Sequence, residues 1–452
     1  MVFFNLLRGR VLFFLATTLI TPLCVAVPPP PTLDVSPPVP ELLMDYDEHH
    51  RQGISPPEVK STFVSHNDPI ETDAVLKLAT VVATTLEKMP DASWLDALEK
   101  EAATLRGRGD SWTAGASQAG LRFQEATSGT LHYIDATVQV PLWNIGQRDA
   151  ELRVAKFAEA NAQAQTDALK LRVAGLVRSA LWSIALASLD YEQTQVDVSI
   201  LEKLLAKVAR RVELGDLPRA DLLLAQTEVL QKHSVLAMTE AELMHARKRY
   251  LSITQGAKLP GTYQEKLANL TTIQQNHPML VAVNSQISRK QAEIKASGLV
   301  GSGQSSVAVG INSDEGNDQR SNKTESFNIG VTVPFGGEAH TLHPHLAALN
   351  VELNKLFAER EQLLRDLELA HHEAEHNLEV NRVELDIANE LQRVAQEHLR
   401  MTELSFSVGE INLLDLLKIQ SRTQQAVLNA KQRAVMLQRD SALYNQAVGL
   451  LP

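Results

Sequence analysis

The sequence predicts an α+β fold in which two similar units each combine a pair of β-strands with a long helical hairpin. Three observations lead to this prediction: two long spans without proline, sequence landmarks that recur at a constant offset, and segments in which apolar and polar residues alternate. The chain has 452 residues, 44% hydrophobic and 21% charged, so global disorder is excluded. The net charge of −11 argues against a nucleic-acid-binding protein with a broad basic surface.

The prolines are unevenly placed. Nine of the 19 lie between Pro28 and Pro57, whereas residues 142–217 and 345–451 contain none. A proline costs about 3 kcal/mol inside a helix, so the two proline-free spans leave room for long helices. The cluster of nine indicates an extended leader outside the folded part.

The N-terminus resembles an export signal. Residues 1–26 contain two arginines, a short apolar stretch and a plausible cleavage site after Ala26. Lipid attachment at Cys24 is the alternative, although the bulky Leu23 precedes it. After cleavage at Ala26 the chain has no cysteine, which excludes disulfides and thiol catalysis. Residues 27–71 form the proline-rich leader.

Two landmarks repeat along the rest of the chain. The segment that begins Gly215-Asp216-Leu217 and contains Asp221-Leu222-Leu223 corresponds to Gly409-Glu410-Ile411 with Asp415-Leu416-Leu417, an offset of 409 − 215 = 194. Upstream, Val138-Gln139-Val140-Pro141 corresponds to Val331-Thr332-Val333-Pro334, an offset of 334 − 141 = 193. We therefore predict two internal repeats, residues 72–262 and 263–452, each longer than a solenoid repeat.

Each repeat is expected to begin with a moderate helix, near 72–105 and 276–297. Strand pairs follow at 111–123 with 131–141 and at 305–312 with 325–334, because apolar residues alternate with small or polar ones there. Polar residues 313–324 form the loop of the second pair. A soluble hairpin resting on a helix would show the same alternation. We predict no transmembrane helix after the export signal, so any membrane-spanning segment is expected to be a β-strand.

Long helices are expected after each strand pair. The first covers about 147–214, or roughly 100 Å. The second carries a coiled-coil stripe of leucines at three–four spacing, with Arg360 in one of its places: Leu346, Leu349, Leu353, Leu356, Leu363 and Leu367. Returning helices cover about 218–254 and 412–449, and residues 255–277 are expected to be irregular.

The two turns between these helices carry capping signals. Gly215 and Gly409 suit the left-handed position at a helix C-terminus. Pro218 suits the first turn of the next helix, and Asn412 is a good N-cap with Asp415 three residues on.

Four strands per chain cannot close a barrel alone, since about eight are needed and open edges cannot face lipid. Several chains are therefore expected to share one barrel, and three chains would supply twelve strands.

The two turn motifs, Val212 to Gln226 and Ser407 to Gln420, resemble the periplasmic tips of the TolC family of outer-membrane efflux proteins. The resemblance covers about residues 72–450. It implies an α+β membrane protein with a long α-helical periplasmic barrel and a shared 12-stranded trimeric β-barrel. It also implies a homotrimer in the outer membrane of a Gram-negative bacterium that works passively with an inner-membrane pump and a periplasmic adaptor.

Site residues follow from the same resemblance. The adaptor would dock at the tips, at Gly215, Asp216, Gly409 and Glu410. Asp221, Asp415 and Lys418 would lie near the channel entrance, where an Asp415–Lys418 pair at i,i+3 spacing could neutralise an acidic ring. Stabilisation of the first helical turn is the alternative role for Asp221 and Asp415.

Fourteen histidines invite a metal interpretation. His340, His343 and His345 cluster after the last strand, and His371, His372 and His376 lie on the second long helix. They would fit export of divalent heavy metals, as in the cobalt–zinc–cadmium members of the family, although solvated surface histidines are the simpler interpretation. No resident metal or cofactor is expected.

Rival functions remain open. A periplasmic adaptor also has an export signal and long hairpins, but only one hairpin. A type I protein-secretion channel would share the whole architecture, and a structural coiled coil would leave the strands unexplained. No enzymatic activity is expected: the chain has no Gly-x-Ser-x-Gly elbow, and no lysine follows Gly301-Ser302-Gly303 as a phosphate loop requires.

Overall fold

The computed structural model describes residues 70–125, 131–316, 323–337, 339–340 and 342–452. The predicted signal, nearly all of the leader and half of the predicted 313–324 loop lie outside the described residues. The elements are, in order, β1 (Glu71–Lys77), α1 (Leu78–Lys88), α2 (Ala92–Asp110), β2 (Gln118–Glu125), β3 (Leu131–Pro141), α3 (Gln147–Glu213), α4 (Arg219–Thr254), β4 (Lys258–Thr262), α5 (Pro278–Val300), β5 (Ser306–Gly316), β6 (Thr324–Thr332), α6 (Leu342–Ser407) and α7 (Leu413–Ala447).

The order of a helix, two strands, a long helix and a returning helix occurs twice. The long helices α3 and α6 have 67 and 66 residues, so each spans about 100 Å. Their existence and bounds confirm the helices predicted from the proline-free spans. The duplication of the sequence itself stays a prediction.

The helices pack side by side in two levels. Near the strands, α3 lies between α2 and α5, and α5 in turn contacts α6. Near the opposite end, the order across the layer is α4, α3, α7, α6. Buried alanines such as Ala150, Ala158 and Ala162 let neighbouring helices approach α3 closely. The predicted leucine stripe of α6 is buried or half-buried, and Arg360 donates from Nε to Asn284 of α5 at 2.9 Å.

Four strands form one antiparallel sheet in the order β2-β3-β5-β6. The central pair joins the two halves of the chain, with Val138 opposite Val309 and Thr137 opposite Gly310. Strands β3 and β6 lie where the alternation placed them. Strand β2 begins at Gln118 instead of residue 111, and β5 extends to Gly316 instead of ending at residue 312.

The predicted helix at 72–105 is wrong in its first part. Residues 71–77 form β1, and the helical remainder is split into α1 and α2. The split follows from Pro90, because a residue that precedes proline avoids the helical region and Met89 is extended, with φ −68° and ψ 143°.

The predicted irregular segment 255–277 contains strand β4, which pairs in parallel with β1. Gly261 allows this pairing: a Cβ atom there would lie 2.8 Å from the backbone of Ala74. The fully buried Tyr250 fixes the same region, since its hydroxyl donates to the carbonyl of Lys258 at 2.7 Å. Burial raises the pKa of Tyr250 to about 12, so this donor stays protonated.

One described helix departs from the expectation about membrane helices. Helix α3 contains an 18-residue window that is apolar enough, by length and composition, to cross a membrane. Of that window 44% is buried, and α3 packs against α4 and α5. These contacts are those of a core helix in a helical layer.

Candidate functional site

The four-stranded sheet has one apolar face that no other described part of the chain covers. Successive side chains of a strand point to opposite faces, and paired residues share a face. Ile311 lies opposite Phe327, and Val309 lies opposite Ile329. Phe327 and Ile329 are 65% and 66% exposed. The same face carries further exposed apolar side chains: Leu121, Phe123, Ile134, Val138, Ile311 and Val331.

The opposite face of the sheet is small and polar. Arg122 lies opposite Asp135, and the next row contains Gly120, Thr137, Gly310 and Asn328. Thr137 donates from Oγ1 to Asp135 at 2.8 Å. A Cβ atom on Gly310 would lie 2.7 Å from Asn328 Oδ1 and 3.0 Å from the carbonyl oxygen of Ala136, so a larger residue would force these groups to shift. Such a sheet can separate lipid from water.

The two outer strands, β2 and β6, each pair on one side only. Every residue of both strands is exposed. An open edge beside a large apolar face is an aggregation hazard in water and is not tolerated in lipid. The two outer strands therefore leave open edges to which further strands could add.

The far ends of the helices form two turns with the same geometry. Gly215 and Gly409 both have φ +83°. After each glycine the next amide closes a Schellman motif: Asp216 N–H donates to Arg211 at 2.8 Å, and Glu410 N–H donates to Ser405 at 3.0 Å. The structure confirms the predicted left-handed conformation of both glycines. Their role in adaptor docking stays a prediction.

The returning helices begin as the capping signals predict, with one difference. Asn412 is the N-cap of α7, and its Oδ1 accepts the amide of Asp415 at 2.8 Å. Pro218 is itself the cap of α4, one position before the first helical turn in which it was predicted. The difference is small because its fixed φ is compatible with either position.

The two turns lie side by side. A buried apolar cluster draws Val208 from α3, Val229 from α4, Phe406 from α6 and Leu416 from α7. Arg211 spans the pair: its guanidinium donates to the carbonyl of Phe406 at 3.2 Å and lies 5.1 Å from the centre of the Phe406 ring. We call this end, residues 208–225 and 402–420, the tip region.

The predicted entrance residues lie on the surface of the tip region. Lys418 Nζ is 3.8 Å from Asp415 Oδ1, with the two side chains 59% and 52% exposed. The predicted i,i+3 pair is thus present, although an exposed pair of this kind contributes little to stability. Asp221 lies in the first turn of α4, the position from which its carboxylate would stabilise the helix dipole.

Within the part of the chain that the structure describes, the predicted histidine clusters do not converge on a metal site. His340, His343 and His345 are all exposed. Within the described residues no group of three His, Cys, Asp or Glu side chains could hold a metal ion. His371 is a buried packing residue, with Nε2 3.2 Å from the hydroxyl of Tyr444.

Sequence reasoning missed one motif. Residues His372-Glu373-Ala374-Glu375-His376 match the His-Glu-x-x-His pattern of zinc peptidases, which places two histidines on one helix face. Both histidines are exposed on α6, and the described residues bring no third ligand to them. A catalytic zinc site needs three protein ligands, and the described residues supply only these two histidines.

The fold and its two surfaces define a class of protein: long antiparallel helices joined to a four-stranded sheet with one apolar and one polar face. No protein-family model matches the sequence, and no curated protein matches it either. Solved structures do match. CusC, described in connection with transmembrane channel formation, is 13% identical with a TM-score of 0.67, over 83% of this chain and 92% of its own.

Two further channels are similar to the same extent. The MtrE outer membrane channel of Neisseria gonorrhoeae, in its open state, is 15% identical with a TM-score of 0.64, over 85% of this chain and 91% of its own. The CmeC outer membrane channel of Campylobacter jejuni is 11% identical with a TM-score of 0.61, over 82% and 85%. The chain therefore has the fold of the TolC-like outer-membrane channels.

Proposed function

We propose that this protein is the outer-membrane channel of a tripartite efflux system in a Gram-negative bacterium. It is a passive conduit that receives substrates from an inner-membrane pump and a periplasmic adaptor. The observation that carries the proposal is the two-faced sheet, apolar on one side and polar on the other, at the end of helices about 100 Å long. Such helices can reach across the periplasm while the sheet occupies the membrane.

The open edges of the sheet support a homotrimer. Three chains supply twelve strands, which exceeds the minimum of about eight for a closed transmembrane barrel. In that barrel the exposed apolar face contacts outer-membrane lipid, and Arg122, Asp135 and Asn328 line the water-filled lumen. The likeness to solved channels of this fold supports the same arrangement.

The tip region is the proposed docking surface for the adaptor. Gly215, Asp216, Gly409 and Glu410 are at the extreme end of the hairpins and are exposed. Asp221, Asp415 and Lys418 flank the proposed entrance, where the Asp415–Lys418 pair reduces the net negative charge. An adaptor would have one long helical hairpin, whereas this chain has two, which argues against the adaptor alternative. A protein-secretion channel would use the same fold and differs in its pump.

Membrane fractionation tests the proposal. The full chain, expressed with its own leader in a Gram-negative host, should be found in the outer membrane and should need detergent for extraction. It should migrate as a trimer that dissociates on heating. A soluble monomer in the periplasm would contradict the proposal.

Heavy metals are the substrate class that the histidines suggest. His340, His343 and His345 are exposed near the start of α6. In the proposed channel they could bind metal ions either in the conduit or between neighbouring chains. Replacing all three with alanine should lower resistance to zinc or cobalt in a strain that carries the cognate pump, with membrane abundance unchanged. Unchanged metal resistance would remove the metal hypothesis and leave the channel proposal intact.

A further inference from the structure

Two histidines lie on the exposed side of α6, away from both the sheet and the tip region. At this level the buried side of the helix carries Leu367, Ala374 and Leu378. At about 100° per residue, His372 and His376 lie about 130–180° around the helix from the middle of that buried side. Both are exposed, so their imidazoles point away from the helices that pack against α6.

The spacing of this pair suits the chelation of a single metal ion. Residues four apart on a helix have Cβ atoms about 5–6 Å apart and share one face. Two imidazoles in this arrangement can bind the same ion, as in the His-Glu-x-x-His pattern. Both lie inside a helix of 66 residues, so the backbone that carries them is already ordered before an ion binds.

The two imidazoles are available to a ligand, unlike that of their neighbour. His371 is buried, and its Nε2 lies 3.2 Å from the hydroxyl of Tyr444. Among the described residues, neither His372 nor His376 has a hydrogen-bond or ion-pair partner. A metal ion would therefore displace water from these nitrogens and would break no contact within the described chain.

The helix surface around the pair is acidic. Residues 366–381 contain five carboxylates and neither lysine nor arginine; the five are Asp366, Glu368, Glu373, Glu375 and Glu379. Glu368 lies one turn before His372, and Glu379 lies about one turn after His376, so both are near the same face. Their negative potential favours a bound cation at the histidine pair.

We propose that His372 and His376 form a surface site for one divalent transition-metal ion, of the kind of Zn²⁺, Ni²⁺ or Cu²⁺. Imidazole nitrogens suit these ions, whereas Mg²⁺ and Ca²⁺ prefer oxygen ligands. Water completes the coordination, because no third ligand among the described residues converges on the pair. The site needs only one chain, so the inference goes beyond the proposed function and holds whatever substrate the channel exports.

Zinc titration of the detergent-solubilised full chain tests this site. Every protein in the test carries His340→Ala, His343→Ala and His345→Ala, so that the histidines near the start of α6 do not contribute. Isothermal titration calorimetry of this parent should show one Zn²⁺ bound per chain. An excess of Mg²⁺ should leave the zinc bound, since the imidazoles and not the carboxylates hold it.

The matched control exchanges two neighbouring residues, with His376→Asn and Asn377→His in the same chain. It keeps the composition, the charge and nearly the same helix propensity, and it moves the second histidine about 100° around α6. The affinity for Zn²⁺ should fall by about 100-fold, because the two imidazoles can no longer bind one ion together.

Three results would overturn the site: a parent that binds no zinc, displacement of zinc by Mg²⁺, or equal affinity in the parent and the exchange variant. Each of them leaves the channel proposal standing, because membrane fractionation tests that proposal separately.

Discussion

At the residue scale, Arg178 ties distant parts of the chain together. Its side chain is 1% exposed in the middle of α3. It makes two hydrogen bonds to Glu265, at 2.7 and 2.6 Å, and donates to the carbonyl of Leu450 at 3.1 Å. Asn445 binds the same segment, since its Oδ1 accepts the amide of Ala268 at 2.8 Å. These contacts attach the segment after β4 and the C-terminal end of α7 to helix α3.

Replacing Arg178 with methionine should cost about 3–5 kcal/mol of unfolding free energy, because Glu265 would keep a largely buried charge without its partner. Denaturant unfolding of the detergent-solubilised protein measures this loss. Arg106→Met is the control, since the Arg106–Glu159 pair is about 60% exposed on both sides and should contribute less than about 1 kcal/mol. Equal losses of unfolding free energy in the two variants would contradict a larger stabilising role for the buried Arg178 contacts.

His277 is a buried residue with a predicted pH response. It caps α5, where its Nδ1 accepts the amide of Met279 at 3.3 Å. Burial is the main cause that lowers the pKa of His277 below its ordinary 6.5, with a weaker opposing effect from the backbone of Ala447. A lowered pKa means that the unfolded chain binds the proton first. The stabilising contribution is therefore complete above about pH 6.5 and is lost as pH falls through the lower folded value.

The melting temperature should accordingly decrease below about pH 6.5, and His277→Asn should flatten that decrease while keeping a capping side chain. Thermal unfolding of both proteins between pH 7.5 and pH 5, values chosen to bracket about 6.5, compares their slopes. Identical slopes would mean that another group is responsible.

At the element scale, the tip turns depend on their glycines. Gly409 has φ +83°, which costs a residue with a Cβ about 1–2 kcal/mol. Gly409→Ala should thus destabilise the turn and speed amide hydrogen exchange at Glu410. Gly298→Ala is the matched control: apart from the adjacent backbone of its own helix, no described atom lies within 4 Å of the added Cβ, so the change should be neutral or stabilising by up to about 1 kcal/mol. Equal exchange in both variants would contradict the role of the left-handed turn.

Elements that depend on local signals could be predicted from the sequence, whereas elements that depend on distant pairing could not. Strand β3 and the long helix α3 could be predicted because alternation and an absence of proline are local signals. Strands β1 and β4 could not, because each is short and forms only by pairing with a segment almost 190 residues away, such as Glu71 with Lys258. The tip glycines were recognised from their spacing, whereas the bridge from Arg211 to Phe406 depends on two hairpins lying side by side.

At the scale of the whole molecule, the proposed function makes the chain one part of a tube. Apolar side chains of β6 extend from Phe327 to Val331, with Val333 and Phe335 beyond the strand, and Phe335 is 93% exposed. The eight steps from Phe327 to Phe335, at about 3.4 Å each, make a band about 27 Å long, which suits a tilted strand in a bilayer. In the proposed channel, lipid covers this band.

Single-cysteine labelling along β6 tests this account most directly. In a Cys24→Ser background, which removes the only cysteine of the sequence, six variants would each carry one cysteine, at successive positions from Phe327 to Thr332. Each variant would be treated with a membrane-impermeant maleimide in intact outer membranes. The account predicts alternation: cysteines at Asn328, Gly330 and Thr332 react from the aqueous lumen, whereas those at Phe327, Ile329 and Val331 are protected by lipid. Equal labelling of all six, as both exposed faces of an isolated sheet would give, would contradict a membrane channel.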